Sequence, residues 1–329
     1  MTASNPPRDE TLQRPGGPPP PGVHLDSTAQ IMNSISRRLA SRLSLVSLNG
    51  RRRPDPPALV LVAHGSRDLV AHGSRDPRAL GTVRALVERV RELRPGVPVH
   101  LGHIELNEPL LPDTLAGLGS TEAVLVPLLL SRGYHVKQDI PEMAASASAR
   151  TRVSAPLGPH PLLVETLYAR LVEAGWRTGT DDASRRAGGV VLAAAGSRDP
   201  DSAADIRRTA QLLAERLGVP VVPAYAAAAT PTVPAALRAL AARGRHRVAV
   251  ASCFTAPGRF ATQCADAAPW IASAPLGAHP AMARLVLHRY DRAVATPEPT
   301  AEAVLAAATS VGEATPVRNG PEGPAGNGR

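Results

Sequence analysis

The chain carries the same unit twice, and this repeat constrains its fold more than any other feature. VSAPLGPHP at 153–161 returns as ASAPLGAHP at 272–280, and GSRDP at 73–77 returns at 196–200. Both pairs keep their order at a separation of about 120 residues, so one structural unit is duplicated within the chain. The 329 residues suffice for two domains at roughly 100–200 residues each. Each unit alternates short apolar runs with helical spacing. Ala58 to Ala63 is continuously apolar, as a strand buried on both faces must be. Arg78 to Arg94 then places Ala79, Val83, Leu86, Val90 and Leu93 on one helical face. Further strands are predicted at 97–104, 123–130 and 153–157, with helices near 110–118, 138–148 and 161–174. The second unit matches with strands near 189–195, 219–226, 247–254 and 271–276. Strict alternation predicts an α/β fold: two tandem parallel-sheet domains at 58–178 and 188–295, with helices on both faces of each sheet.

The flanks read differently. Residues 1–57 are rich in Pro, Arg and Ser, and 296–329 in Pro, Gly, Ala and Glu, so both are expected to be disordered tails. A short amphipathic helix near 31–46 is the one element expected in the first tail. The net charge is +9, and Lys137 is the sole lysine, so the excess is almost wholly arginine. Guanidinium groups pair bidentately with carboxylates and phosphates. An aromatic share of 2% argues against the stacking platforms of single-stranded nucleic-acid binders. Two cysteines, Cys253 and Cys264, form neither a disulfide framework nor a zinc spacing. No apolar run approaches the ~20 residues of a membrane helix. The first residues lack signal-peptide character, so a cytoplasmic protein without membrane or nucleic-acid partners is expected.

Ligands of parallel α/β sheets bind outside the carboxyl ends of the strands. Three predicted strand ends in the first unit carry metal-competent side chains: His64 in LVLVAHGSRD, Glu105 in HIELNEP and His135 in VPLLLSRGYHVKQDIP. Two imidazoles and a carboxylate form a borderline ligand set suited to Fe²⁺, Co²⁺ or Ni²⁺. Neutral imidazole also accepts protons at cellular pH. Taken singly, a histidine at a strand end is more often a hydrogen-bonded structural residue, and Glu105, like Glu108, reads also as an ordinary solvated carboxylate. The joint occurrence of His64, Glu105 and His135 at three strand ends is what points to a site.

VAHGSRDP, IELNEP and VPLLLSRGYHVKQDIP together resemble the signature segments of the class II sirohydrochlorin chelatases of the CbiX/SirB type, across 58–295. The resemblance implies two chelatase-like, flavodoxin-like domains facing across a cleft. It implies ATP-independent insertion of a divalent metal substrate, Fe²⁺ or Co²⁺, into sirohydrochlorin, in sirohaem or cobalamin biosynthesis. His64 and His135 would be catalytic, and with Glu105 would hold the metal. The macrocycle, with its carboxylate arms, would suit an arginine-rich cleft. No nucleotide cofactor is expected, since no P-loop is present, and a monomer can form its own cleft. A non-catalytic metal or tetrapyrrole carrier is the alternative.

One departure from the family stands out. LVAHGSRD occurs twice in tandem, at 61–68 and 69–76. Strand length favours His64, because a buried strand needs roughly 5–6 residues and only the first copy is preceded by enough apolar chain. Direct connection to Pro77 and its helix favours His72. The reading taken is His64 with the insertion looped out, and His72 as its alternative. In the second unit the three positions align with Ala195, Ala227 and Phe260, so that half lacks the ligands and is expected to close the cleft. Arg198 and Arg259 are its candidates for carboxylate contacts. His160 and His279 read as helix-start residues, His103 as a lesser candidate sharing a strand face with Glu105, and Cys253 as a buried apolar side chain. Ser66 and Ser74 lack the elbow motif of a serine hydrolase.

Overall fold

The structure is a computed structural model that describes residues 55–65, 69–70, 74–75, 77–177 and 181–296. The helix expected near 31–46 and nearly all of both tails lie outside the described residues. The described residues from Pro56 to 296 form one compact unit.

The first half begins with β1 (Ala58–Ala63), a two-stranded antiparallel ladder of β2 (Leu69–Val70) and β3 (Ser74–Arg75), and α1 (Pro77–Leu93). It continues through β4 (Val99–His103), α2 (Leu111–Leu118) and β5 (Ala123–Pro127). A π-helical turn (His135–Asp139) leads into α3 (Ile140–Ala145), followed by β6 (Thr151–Val153) and α4 (Pro161–Glu173). The short α5 (Asp182–Ala187) leads into the second half. There β7 (Gly188–Ala194), α6 (Pro200–Leu217), β8 (Val221–Tyr225) and α7 (Val233–Ala241) are followed by β9 (Arg247–Ser252), α8 (Arg259–Asp266), β10 (Ile271–Ala272) and α9 (Pro280–Ala295).

The two main sheets have the same topology. Their orders are β4-β1-β5-β6 and β8-β7-β9-β10, parallel throughout. This is the flavodoxin-like order, in which the first strand is central and the direction of winding reverses beside it. Helix α5, β2 and β3 are the elements absent from the sequence expectation. Strand β6 shares only Val153 with the expected 153–157, and β10 is shorter than the expected 271–276. Leu157 and Leu276 are fully buried, but Pro156 and Pro275 just before them cannot donate to a ladder. The apolar signal there marks burial in a loop, where a strand was expected.

Period-two alternation sorts the strand residues between cores. In β1, Leu59, Leu61 and Ala63 face one cluster, and Ala58, Val60 and Val62 face another. In β7, Val190, Leu192 and Ala194 join that same first cluster, while Val191 and Ala193 face a third. Helices α1, α4, α6 and α9 therefore lie between the two sheets in a shared core. Helices α2 and α3 cover the outer face of the first sheet, and α7 and α8 the outer face of the second. The halves also exchange helices. Helix α4 of the first half packs on α6 and β9, and α9 of the second packs on α1, α4 and β5.

Candidate active site

The carboxyl ends of β4, β1 and β5 are adjacent, with β1 between the other two. His64 is the residue after β1, Glu105 follows β4 by two, and His135 opens the π-helical turn after β5. Backbone pairing carries on past the strands, with the Ile104 amide donating to the Ala63 carbonyl (2.9 Å) and Glu105 to His64 (3.2 Å). This register places the Glu105 side chain beside His64, with 3.7 Å between His64 Nδ1 and Glu105 Oε1. The chain after β1 turns at Gly65, whose φ is +99°. A Cβ there would lie 2.0 Å from the Glu105 carbonyl oxygen, so glycine is required both by conformation and by contact.

The rings of His64 and His135 meet edge to face, their centroids 4.4 Å apart. His135 Nδ1 is hydrogen-bonded to Asp139 Oδ2 across the π-helical turn. A carboxylate at Nδ1 leaves Nε2 as the ring nitrogen available to a metal, the arrangement by which outer carboxylates orient metal-binding imidazoles. His64 Nδ1 lies 3.2 Å from the Gly65 carbonyl oxygen. The structure thus brings together His64, Glu105 and His135, and adds Asp139, which the sequence reading overlooked. Its signal was the i, i+4 spacing from His135, and an expected helix start at 138 hid it. Among the described residues, no three His, Cys, Asp or Glu side chains stand ready in ligating geometry. His64 is the neighbour of both Glu105 and His135, and the three do not form a ligating set as they stand.

His72 lies outside the described residues. In the second half Gly196 occupies the place of Gly65, with φ +95° and its would-be Cβ 1.9 Å from the Ala227 carbonyl. The Ala227 amide donates to Ala195 (3.0 Å), as Glu105 does to His64. His64, Glu105 and His135 therefore correspond to Ala195, Ala227 and Phe260. Three residues separate Gly196 from α6, whereas the tandem copy lengthens the connection from Gly65 to α1 by the eight residues of the duplication.

His103 is buried, its pKa held down by desolvation, and its Nδ1 lies 3.1 Å from the Pro109 carbonyl. His160 and His279 cap α4 and α9, accepting from the Leu162 and Ala281 amides, as expected of helix starts. Burial pushes the Cys253 thiol up to about 12, which fits an inert apolar side chain.

Two adjoining cavities of about 670 and 410 Å³ open over these strand ends, between the halves. Both are lined by His64, Leu128, Ala195, Phe254 and Phe260. The chain has two phenylalanines, and both are here. Glu105 and His103 line the larger cavity, and His135 and Tyr134 the smaller. Among the described residues Arg259 is the arginine that lines them. The cavity wall is mainly apolar, where an arginine-rich cleft was expected.

A doubly repeated flavodoxin-like α/β protein, with a histidine-carboxylate cluster at one of its two switch points, is the class that fold and site define. A family model described as CbiX matches residues 69–174 and 189–293, most of the described chain, and the chain belongs to that family. Its first match begins at Leu69, the start of the second tandem copy. The copies are identical in sequence, so an alignment running without a break into α1 takes the second, whereas β1 is built from the first. The sirohydrochlorin ferrochelatase of Bacillus subtilis is 32% identical over 184 residues, 53% of this chain and 64% of that protein. The sirohydrochlorin cobaltochelatase of Methanococcus aeolicus is 35% identical over 89 residues, 26% of this chain and 57% of that one. The chain thus spans less than two thirds of the length of these relatives. SirB from Bacillus subtilis with Fe3+ superposes with a TM-score of 0.55 at 24% identity, covering 72% of this chain and 96% of that structure, a likeness of fold.

Proposed function

We propose that the chain is a metal chelatase that inserts a divalent metal, Fe²⁺ or Co²⁺, into sirohydrochlorin without a nucleotide cofactor. The observation that carries this reading is that His64, Glu105 and His135, from three adjacent strand ends, line two adjoining and mainly apolar cavities that meet at His64. Insertion exchanges a metal ion for two pyrrole N–H protons, so the site must hold a cation loosely and accept protons. Two imidazoles and a carboxylate are able to do both. The Asp139 carboxylate at Nδ1 of His135 leaves Nε2 free for metal or proton. Phe254, Phe260 and Leu128 offer an apolar wall to a flat ring, and Arg259 a cation to one of its carboxylate arms. The naming of relatives as sirohydrochlorin ferrochelatase and cobaltochelatase supports the substrate and both metals.

The test follows the visible spectrum of sirohydrochlorin on addition of Co²⁺ or Fe²⁺. His135→Ala should lower the insertion rate by more than the roughly 100-fold that loss of an outer-shell partner costs. His64→Ala should do the same and His72→Ala should not; the reverse result moves the assignment to the second copy. An enzyme yields many equivalents of metallated product per chain. A carrier, the alternative reading, stops at one. Wild-type turnover in His135→Ala would overturn the site.

A further inference from the structure

The segment that carries His135 is held on both sides by acids of the other half. Three residues before it, the Arg132 amide donates to Asp205 Oδ2 (2.8 Å), and the Arg132 guanidinium makes a forked contact to the same carboxylate, Nη2 to Oδ1 at 2.7 Å and Nε to Oδ2 at 3.0 Å. Two residues after it, the chain's single lysine reaches Asp199 Oδ2 at 2.7 Å and Asp201 Oδ2 at 2.9 Å. Ser131 Oγ meets Ser202 Oγ at 2.8 Å. All four partners lie in the first turns of α6 or at its cap, where Asp199 also accepts from the Asp201 amide. Asp205 is 3% exposed. A carboxylate so placed is tolerable only when paired and fully hydrogen-bonded, which is what Arg132 supplies. The Lys137 ammonium in turn holds the Asp199 carboxyl below the usual carboxylate range.

Between these two anchors lie Gly133, Tyr134, His135 and Val136. Left unanchored, a surface segment containing glycine has many orientations, and only those that turn Nε2 toward His64 and Glu105 are productive. We infer that Asp205, with Asp199 and Asp201, positions His135 for metal transfer through Arg132 and Lys137. The half that lacks donors thereby sets the geometry of the half that has them. Asp199 belongs to the repeated GSRDP segment, whose preceding histidine position is Ala195. The second copy of the unit has no ligand there, and its acid is turned to its partner's loop. This inference rests on the reading of His135 as a metal donor.

The experiment uses the full chain and three substitutions, Asp205→Asn, Lys137→Met and Lys137→Arg, alongside His135→Ala. Lys137 is half-exposed, so its variants should fold even if Asp205→Asn does not. Two quantities are read: Co²⁺ affinity, from the visible absorption of the metal alone, and kcat and KM for insertion into sirohydrochlorin. Asp205→Asn and Lys137→Met should each weaken Co²⁺ binding and lower kcat, by up to the about 10- to 100-fold that loss of a partner bonded directly to a ligand costs, with KM for the macrocycle unchanged. Lys137→Arg should restore both. If Lys137→Met and a folded Asp205→Asn keep wild-type Co²⁺ affinity and kcat while His135→Ala is inactive, the inference falls and the donor assignment stands. If His135→Ala is itself active, the donor assignment falls and takes the inference with it.

Discussion

Gly65 and Gly196 occupy equivalent positions in the two halves, and only one of them sits beside candidate donors. Each has a positive φ, +99° and +95°, and each would drive a Cβ to within 2.0 Å of the facing carbonyl, that of Glu105 or of Ala227. Alanine at either position should cost at least the ~1–3 kcal/mol of a strained backbone, more if the facing loop cannot retreat. The consequences for activity should differ. Gly65→Ala pushes the Glu105 backbone away from His64, so metal insertion should fall beyond what the loss of folded protein explains. Gly196→Ala presses on Ala227 and Tyr225 and on no candidate donor, so activity per folded molecule should fall less than in Gly65→Ala. Urea unfolding measures the first quantity and initial insertion rates the second. Equal activity losses in the two variants would contradict the placement of the chemistry in the first half.

At the scale of elements, the tandem LVAHGSRD poses a question that a deletion can address. Removing 61–68 or 69–76 gives the same chain, because the two octapeptides are identical. That chain keeps a six-residue β1 and reaches α1 through the short connection seen between Gly196 and α6. Among the described residues β2 and β3 pair only with each other, so their loss removes no strand from the main sheet. The deletion variant should therefore insert metal at least as fast as the wild type and unfold at equal or higher urea concentration. A variant that folds but is inactive would show that residues of the second copy take part in the chemistry. Most of the elements were legible in the sequence: uninterrupted apolar runs mark β1 and β7, because strands buried on both faces carry no polar alternation. The candidate donors were legible because each follows an expected strand, His64 directly after β1, Glu105 two residues past β4 and His135 eight past β5. Asp139 was not, since its role depends on the turn at His135 being π-helical, which hydrophobic spacing does not report. The clamp from Asp205 to Arg132 was also hidden, for it joins positions 73 residues apart and in different halves.

The whole molecule is tied together by its exchanged helices, and histidines sit where they cross. His160 caps α4 through Nδ1, which accepts from the Leu162 amide at 3.1 Å. Its ring lies 4.7 Å from that of His288 on α9 of the other half. Burial, the Arg289 guanidinium and His288 together lower its pKa to about 4. A capping imidazole at this junction is therefore neutral in the folded protein, and protonating it removes the cap while adding charge beside a guanidinium. The unfolded chain takes up that proton near the ordinary value of ~6.5. Between there and pH 4 the unfolded state binds more protons, so stability declines as pH falls through this window. Above it His160 has no effect, and below it the loss is complete. His279, the matching cap of α9, is lowered by burial and by Arg170 and adds to the same decline. His160→Asn retains a capping side chain and cannot titrate. The urea midpoint of this variant should fall less steeply between pH 6.5 and 4 than that of the wild type, with the two curves parallel above pH 7. Identical slopes in that window would show that the crossing of α4 and α9 carries no proton-linked strain, and that the acid sensitivity of the two halves arises elsewhere.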